Sequence, residues 1–371
     1  MMTNHRNMYK QNLYLLIDKM KIVKVVAFLC ASVALAGCSG KGETYHCGDV
    51  ERIDAFPHEY NLGETKPLDI DLTGAVNVFA ADSLMVSEYL SGPYFWKVYS
   101  LQTRKWLGSM LRSGHGKGEV VQLPSDGCPM IQGGQLMCDL WMAESQTWGR
   151  VNLTKSIANR STVWEDNVKI PLDGTFLDVF RLDDSSFFSV RLADNGRRER
   201  GVIKGGRFVM LDQLGTLNTL GTDDEYNTLS SVVRLNPQRD HVAEAMIRLN
   251  ELVIYSLRTN FRKTLSMGDD LQDVKTVSSK PRWFQRKSFG YLSAYKDFFG
   301  VLYYDCSMKD YQSDKAGKTD LLFFDWNGAP LARIRIPYQA TSFFIYGNSL
   351  YVFTSVGEKE RLYQYAMPRI K

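Results

Sequence analysis

Eight consecutive residues, Arg112-Ser113-Gly114-His115-Gly116-Lys117-Gly118-Glu119, gather more chemistry than any other stretch of the chain. Alternating glycines let backbone approach a bound group closely, and Arg112, His115, Lys117 and Glu119 surround them with charge and a titratable ring. The phosphate-cradling order G-x-x-x-x-G-K-[ST] is absent. Gly317-Lys318-Thr319 fails the same test, because Gln312 stands where the first glycine is required. The plainer reading of the glycine run is a tight connection between elements, and its four polar residues are ligand-binding candidates. A second stretch, Lys280-Pro281-Arg282-Trp283-Phe284-Gln285-Arg286-Lys287, sets two aromatics in basic surroundings. Arg and Trp dominate interaction hot spots, so Arg282 and Trp283 are candidates for a protein or glycan partner. The competing reading packs one ring into the fold and leaves the cationic heads in water. A third, polar stretch, Asp305–Thr319, reads as a long loop on a scaffold.

Signatures of catalysis are missing. There is no G-x-S-x-G elbow, no HExxH and no CxxC, and the acid pairs Asp183-Asp184, Asp223-Asp224 and Asp269-Asp270 sit among turn residues as solvated turns do. No catalytic residue, metal ligand or cofactor is assigned. The chain has 371 residues, 44% of them hydrophobic and 23% charged, an ordinary globular composition. Its net charge of +4 is concentrated at the start: residues 1–37 hold Arg6, Lys10, Lys19, Lys21 and Lys24 against Asp18 alone. The remainder is neutral, which removes the case for nucleic acid.

From Met20 the sequence runs MKIVKVVAFLCASVALAGC: two lysines, an apolar run, then small residues. This is the order of a secretory signal. The apolar run from Val25 to Gly37 falls short of the roughly 20 residues a helix needs to cross a bilayer. Leu35-Ala36-Gly37-Cys38 resembles the lipobox of bacterial lipoproteins. The resemblance implies cleavage before Cys38, a lipid on Cys38 and a membrane attachment without a spanning helix. Residues 1–19 fit no part of a signal and point to Met20 as the true start. Three segments are therefore expected: a leader at 1–37, a polar tether at 38–65 and a folded domain at 66–371. In an oxidising compartment Cys47, Cys128, Cys138 and Cys306 remain to be placed. Cys128 and Cys138 flank one turn and could bridge, or all four could be buried thiols.

Short apolar runs alternate with turn residues throughout the domain. Six turn signals, near Asp82, Gly134, Asp184, Arg239, Asp297 and Asn348, recur every 50 to 58 residues, and most are followed by a second turn. Two hairpins per period make four strands per period, which is the arithmetic of a propeller blade. The expected fold is all-β: a six-bladed β-propeller with four antiparallel strands per blade. His241–Leu257 is rich in helix formers, yet the period places strands there. Asn327-Gly328 predicts a two-residue type I′ hairpin turn. The last period is short of a strand, and the unpaired Pro67–Thr73 is expected to close the ring by joining it.

The blade pattern, the lipobox and the Arg112–Glu119 run together resemble the TolB-like six-bladed β-propeller lipoproteins of bacteria, over Lys66 to Lys371. That resemblance implies a cell-envelope location, with the outer membrane as the expected site, and implies no reaction. The expected function is a membrane-anchored extracytoplasmic module that binds or scaffolds an envelope protein or glycan. The alternative is a metal-assisted hydrolase or lyase at the channel mouth, holding calcium or another divalent ion. A ring of converging carboxylates in the channel would mark the alternative; exposed aromatics on one face would mark binding.

Overall fold

The computed structural model describes residues 42–170, 172–222, 226–356 and 359–370. The leader, Met20, Cys38 and the pair Asp223-Asp224 lie outside the described residues. Two short strands come first, β1 (Asp49–Ile53) and β2 (Glu59–Asn61). The first blade follows with β3 (Ala75–Ala81), β4 (Leu84–Tyr89), β5 (Tyr94–Ser100) and β6 (Trp106–Arg112). The second holds β7 (Ser125–Gln132), β8 (Gln135–Met142), β9 (Thr147–Asn152), the helix α1 (Leu153–Asn159) and β10 (Trp164–Lys169). The third comprises β11 (Thr175–Arg181), β12 (Ser186–Leu192), β13 (Arg198–Lys204) and β14 (Arg207–Met210), with α2 (Thr216–Thr219) after it. The fourth comprises β15 (Ser231–Leu235), β16 (His241–Met246), β17 (Glu251–Ser256) and β18 (Arg262–Met267), followed by α3 (Val274–Ser278). The fifth has β19 (Arg286–Ala294), β20 (Phe298–Ser307), α4 (Met308–Gln312), β21 (Thr319–Asp325) and β22 (Pro330–Ile336). The sixth has β23 (Ser342–Tyr346), β24 (Ser349–Thr354) and β25 (Arg361–Ala366).

Within each sheet successive strands pair antiparallel, and the six sheets form a six-bladed propeller. Six apolar clusters occupy the six junctions between neighbouring blades. Trp141 and Phe187 meet between the second and third, Ile254 and Phe324 between the fourth and fifth, and Met85 and Phe353 between the sixth and first. A blade's middle strands are covered on both faces, so β4 and β17 are buried at every position. This explains why the helix formers of His241–Leu257 fold as β16 and β17. A run buried on both faces lacks the alternation of apolar and polar residues that marks a half-exposed strand, and tertiary packing overrides helix propensity.

The segment expected to be a tether is part of the fold. Cys47 and Tyr45 are buried, β1 pairs parallel with β18, and β2 pairs parallel with β22. Ile53 and Phe56 enter the core between the fourth and fifth blades. The folded unit therefore begins at Thr44, because these apolar side chains find a sheet edge to cover and a junction to fill. The chain then reaches the sixth blade, where Leu68 N donates to Leu362 O at 2.7 Å and Leu68, Ile70 and Leu72 pack against Leu362 and Phe353. Pro67–Thr73 thus lies along the outer side of β25, as closure requires. It is extended chain without a regular ladder, because Ile70 N turns back to Leu68 O at 3.0 Å.

Two further expectations need correction. The hairpin at Asn327-Gly328 exists, but its only left-handed residue there is Gly328, at φ 82°. Gly328 N donates to Asp325 O at 3.0 Å and the Asp325 carboxylate accepts from Asn327 N and Ala329 N, so the turn is a four-residue loop capped by aspartate. The bridge between Cys128 and Cys138 is not formed. The register sets Cys128 across from Asp139 and Cys138 across from Pro129. The two thiols therefore leave opposite faces of the sheet, and they join different apolar clusters.

Candidate functional site

The first strand of every blade ends at one face of the ring, and those ends enclose a cavity of about 640 Å³ at the mouth of the central channel. Phe79, Ile131, Phe180, Tyr291, Tyr295 and Phe344 supply its apolar and aromatic wall. Its charged lining is Arg181, Arg234 and Arg239 against Asp82 and Asp139.

Each arginine is placed by its own element. Arg239 sits at φ 59° in the β15–β16 turn, a conformation that L side chains seldom adopt. The turn is held by Asn236, whose Oδ1 accepts from Asp240 N at 2.9 Å and His241 N at 3.0 Å, while its Nδ2 donates to Asp240 at 2.7 Å. So fixed, Arg239 reaches from the fourth blade to the second and donates to Asp139 Oδ2 at 3.3 Å. Asp139 is already held by Arg150, whose Nε and Nη2 donate to its two oxygens at 2.6 and 2.9 Å. The bond to Asp139 also raises the Arg150 pKa above its usual value. Two guanidinium groups share one carboxylate, while Asp166 and Asp184 stand close enough to act on Arg150 as well as on Arg181, so the charges around the mouth balance.

Arg181 lies over the Trp148 ring, 4.8 Å from its centre, and donates to Asp166 at 2.6 Å and to Asp184 at 3.1 Å. Arg234 lies 5.8 Å from the centre of the Tyr291 ring and donates to Val233 O at 2.8 Å. Burial pushes the Tyr295 hydroxyl up to about 12, so it remains neutral. Among the described residues, no three His, Cys, Asp or Glu side chains converge as a metal-binding group.

The stretches singled out from sequence lie elsewhere. Arg112 pairs with Tyr94, at the end of its blade remote from the Asp82 turn, so the Arg112–Glu119 loop is on the face opposite the channel mouth. There Glu119 folds inward: it accepts from Gly116 N at 2.8 Å and is met by Arg112 Nε at 3.3 Å. A Cβ on Gly116 would come within 2.9 Å of that carboxylate. Trp164 Nε1 donates to Gly118 O at 3.1 Å, tying the loop to the second blade. His115 and Lys117 point into solvent. This is the wiring of a connection between blades. Arg282 and Trp283 form a short 3₁₀ turn linking the fourth and fifth blades; Trp283 is 53% and Phe284 66% exposed. The two stretches share a face but sit at different blade junctions.

Sequence reasoning missed the arginines of the mouth, although a signal was present. The turn signals at Asp82 and Arg239 are themselves lining residues, and those at Asp184, Asp297 and Asn348 lie within three residues of others. The positions just before the first turn of each period are the ones that a propeller brings together.

No protein-family model matches the chain, and no curated protein matches its sequence. Among solved structures it is similar to a member of the DUF4221 family from Bacteroides vulgatus, at 9% identity and TM-score 0.52, over 81% of this chain and 96% of that one. It is also similar to a putative exported protein from Bacteroides fragilis, at 11% identity and TM-score 0.45, over 82% and 89%. The likeness is one of fold, that of the six-bladed propeller. No helix among the described residues is long and apolar enough to cross a membrane.

Proposed function

We propose that this chain is an exported, lipid-anchored propeller whose channel mouth binds a negatively charged segment of an envelope protein or glycan. The observation that carries the reading is Arg239, held in a left-handed turn over a cavity of about 640 Å³ and sharing Asp139 with Arg150. A carboxylate entering the cavity would meet a guanidinium whose carboxylate partner, 3.3 Å away, is shared with Arg150. The body attached to that carboxylate would lie against Tyr291, Tyr295 and Phe344. The metal-assisted alternative needs carboxylates turned toward the channel, and Asp139 is turned instead to two arginines.

Export and anchoring rest on the sequence from Met20 to Cys38. Changing Cys38 to Ala is expected to abolish acylation and release the protein from the membrane fraction; acylation that persists in the variant contradicts the anchor. For the channel mouth the test is thermal melting with galacturonate oligomers and with short peptides that end in an aromatic residue and a free carboxylate. Binding at a hundred times the dissociation constant stabilises by about 2.7 kcal/mol. A rise with one of these probes is expected, and its absence with both contradicts the reading.

A further inference from the structure

The fold fixes the point at which the chain leaves it toward Cys38. Thr44 forms an isolated antiparallel bridge with Asp273, the residue that caps α3. Next to it the Tyr45 hydroxyl donates to Leu217 O at 3.0 Å and His46 N donates to Thr216 Oγ1 at 2.9 Å, so the segment is pinned to α2 as well. Arg262, at the start of β18, pairs with Tyr255, whose neighbour Ser256 pairs with His241 beside the Arg239 turn. The strand β18 therefore runs away from the channel mouth, and Asp273 and Thr44 lie on the opposite face. Residues 39–43 alone separate Cys38 from Thr44. At about 3.3–3.6 Å per residue of fully extended chain, they keep Cys38 within about 22 Å of Thr44. The radius of gyration expected for a domain of this length is about 20 Å, so a tether of that reach does not pass round the ring to its other face.

The link that holds Thr44 also carries exposed rings and cations. Residues 274–284 include Lys275, Lys280 and Arg282 and no acid; all three are exposed, and none enters an ion pair with a described residue. Trp283 and Phe284 stand exposed among them. Phe284 N donates to Pro281 O at 2.8 Å, closing the 3₁₀ turn, and Met308 N donates to Gln285 O at 2.9 Å, so the rings sit on a braced turn. Leu90 and Tyr94, at the β4–β5 turn, are exposed on the same face. Indole rings settle at the headgroup level of a bilayer, and basic side chains beside them are drawn to anionic lipid.

We propose, resting on the lipid at Cys38, that the face opposite the channel mouth lies on the membrane: Trp283 and Phe284 sit at headgroup level, and Lys275, Lys280 and Arg282 meet anionic headgroups. The mouth is then turned away from the bilayer, and its partner reaches it from that side.

The test places the acylated chain, its lipid verified by intact mass, in vesicles of phosphatidylcholine and phosphatidylglycerol, with the phosphatidylcholine either plain or brominated near the headgroup end of one acyl chain. Bromine is expected to lower the tryptophan emission. The drop should vanish in Trp283→Phe and stay unchanged in Trp106→Phe, whose exposed ring pairs with Tyr99 near the Asp82 turn, at the mouth end of the first blade. Changing Lys280 and Arg282 together to Glu should reduce the drop at least twofold. A chain without lipid in the mass measurement removes the anchor, and the orientation with it. An acylated chain with no drop, or with a drop that survives Trp283→Phe, overturns the docking alone and leaves the Trp283 turn to a protein or glycan partner.

Discussion

Among single residues, Arg200 and Glu244 make the strongest demand on the fold. Both are completely buried, one on β13 and the other on β16, so their ion pair joins the third blade to the fourth. Arg200 Nε donates to Glu244 at 3.1 Å, Ser231 Oγ donates at 2.6 Å and Tyr255 at 3.3 Å, while Arg200 Nη1 also donates to Tyr45 at 2.7 Å. Burial alone would raise the Glu244 pKa, but the Arg200 charge and these bonds hold it below the usual range. Breaking a buried pair from one side leaves an uncompensated charge. Glu244→Gln is therefore expected to lower stability by about 3–5 kcal/mol at neutral pH in denaturant melts. The folded pKa is depressed, so the stabilisation is present above about 4.5 and is lost as pH falls through the folded value. The gap between wild type and variant should narrow in acid. Lys287 behaves in the opposite sense. Burial lowers its pKa to about 8, with the nearby Arg248 charge adding to the effect. Between pH 8 and about 10.4 the unfolded chain keeps a proton that the folded chain has released, so the lysine's contribution improves as pH rises. Lys287→Met is expected to be more stable than wild type at pH 7, with the difference shrinking across that window. A constant difference would show that the amine is not buried as described.

Elements explain what could be read from sequence and what could not. Turn chemistry is local, so the six periods and the hairpins of β3–β4, β7–β8 and β23–β24 were legible from Asp82, Gly133-Gly134 and Gly347-Asn348. Strand identity for β16 and β17 was legible only through the period, because their composition favours helix. The role of residues 44–65 was not legible, since β1 and β2 are short and pair with strands more than 200 residues away. A polar segment with scattered apolar residues looks like a tether until the edge that it covers is known. This changes the expected outcome of truncation. Deleting residues up to 43 should leave the melting temperature unchanged. Deleting through Lys66 removes Tyr45, Ile53 and Phe56 from the core; at about 1.5–3 kcal/mol per large buried side chain it should lower stability by several kcal/mol. Equal melting of the two fragments would mean that β1 and β2 contribute nothing to the fold.

At the scale of the whole molecule, ring closure makes two faces with different properties. One gathers the ends of six first strands into the arginine-bearing mouth; the other carries the links between blades, including the Arg112–Glu119 loop and the Trp283 turn. The ligand-binding candidates named from sequence fall on the second face, because local density of charge and glycine is visible in a sequence. The mouth is assembled from residues about fifty positions apart, so only the period of the turns marks it. The central claim is that Arg239 receives an anion there. Isothermal titration of the probe that raises the melting temperature, into wild type and into Arg239→Asn, tests it most directly, since asparagine tolerates the left-handed turn. A hydrogen bond to a charged group contributes about 1.5–3 kcal/mol, so the account predicts binding weakened tenfold or more in the variant, with Phe284→Ala binding as wild type does. Equal affinity of Arg239→Asn and wild type would contradict it.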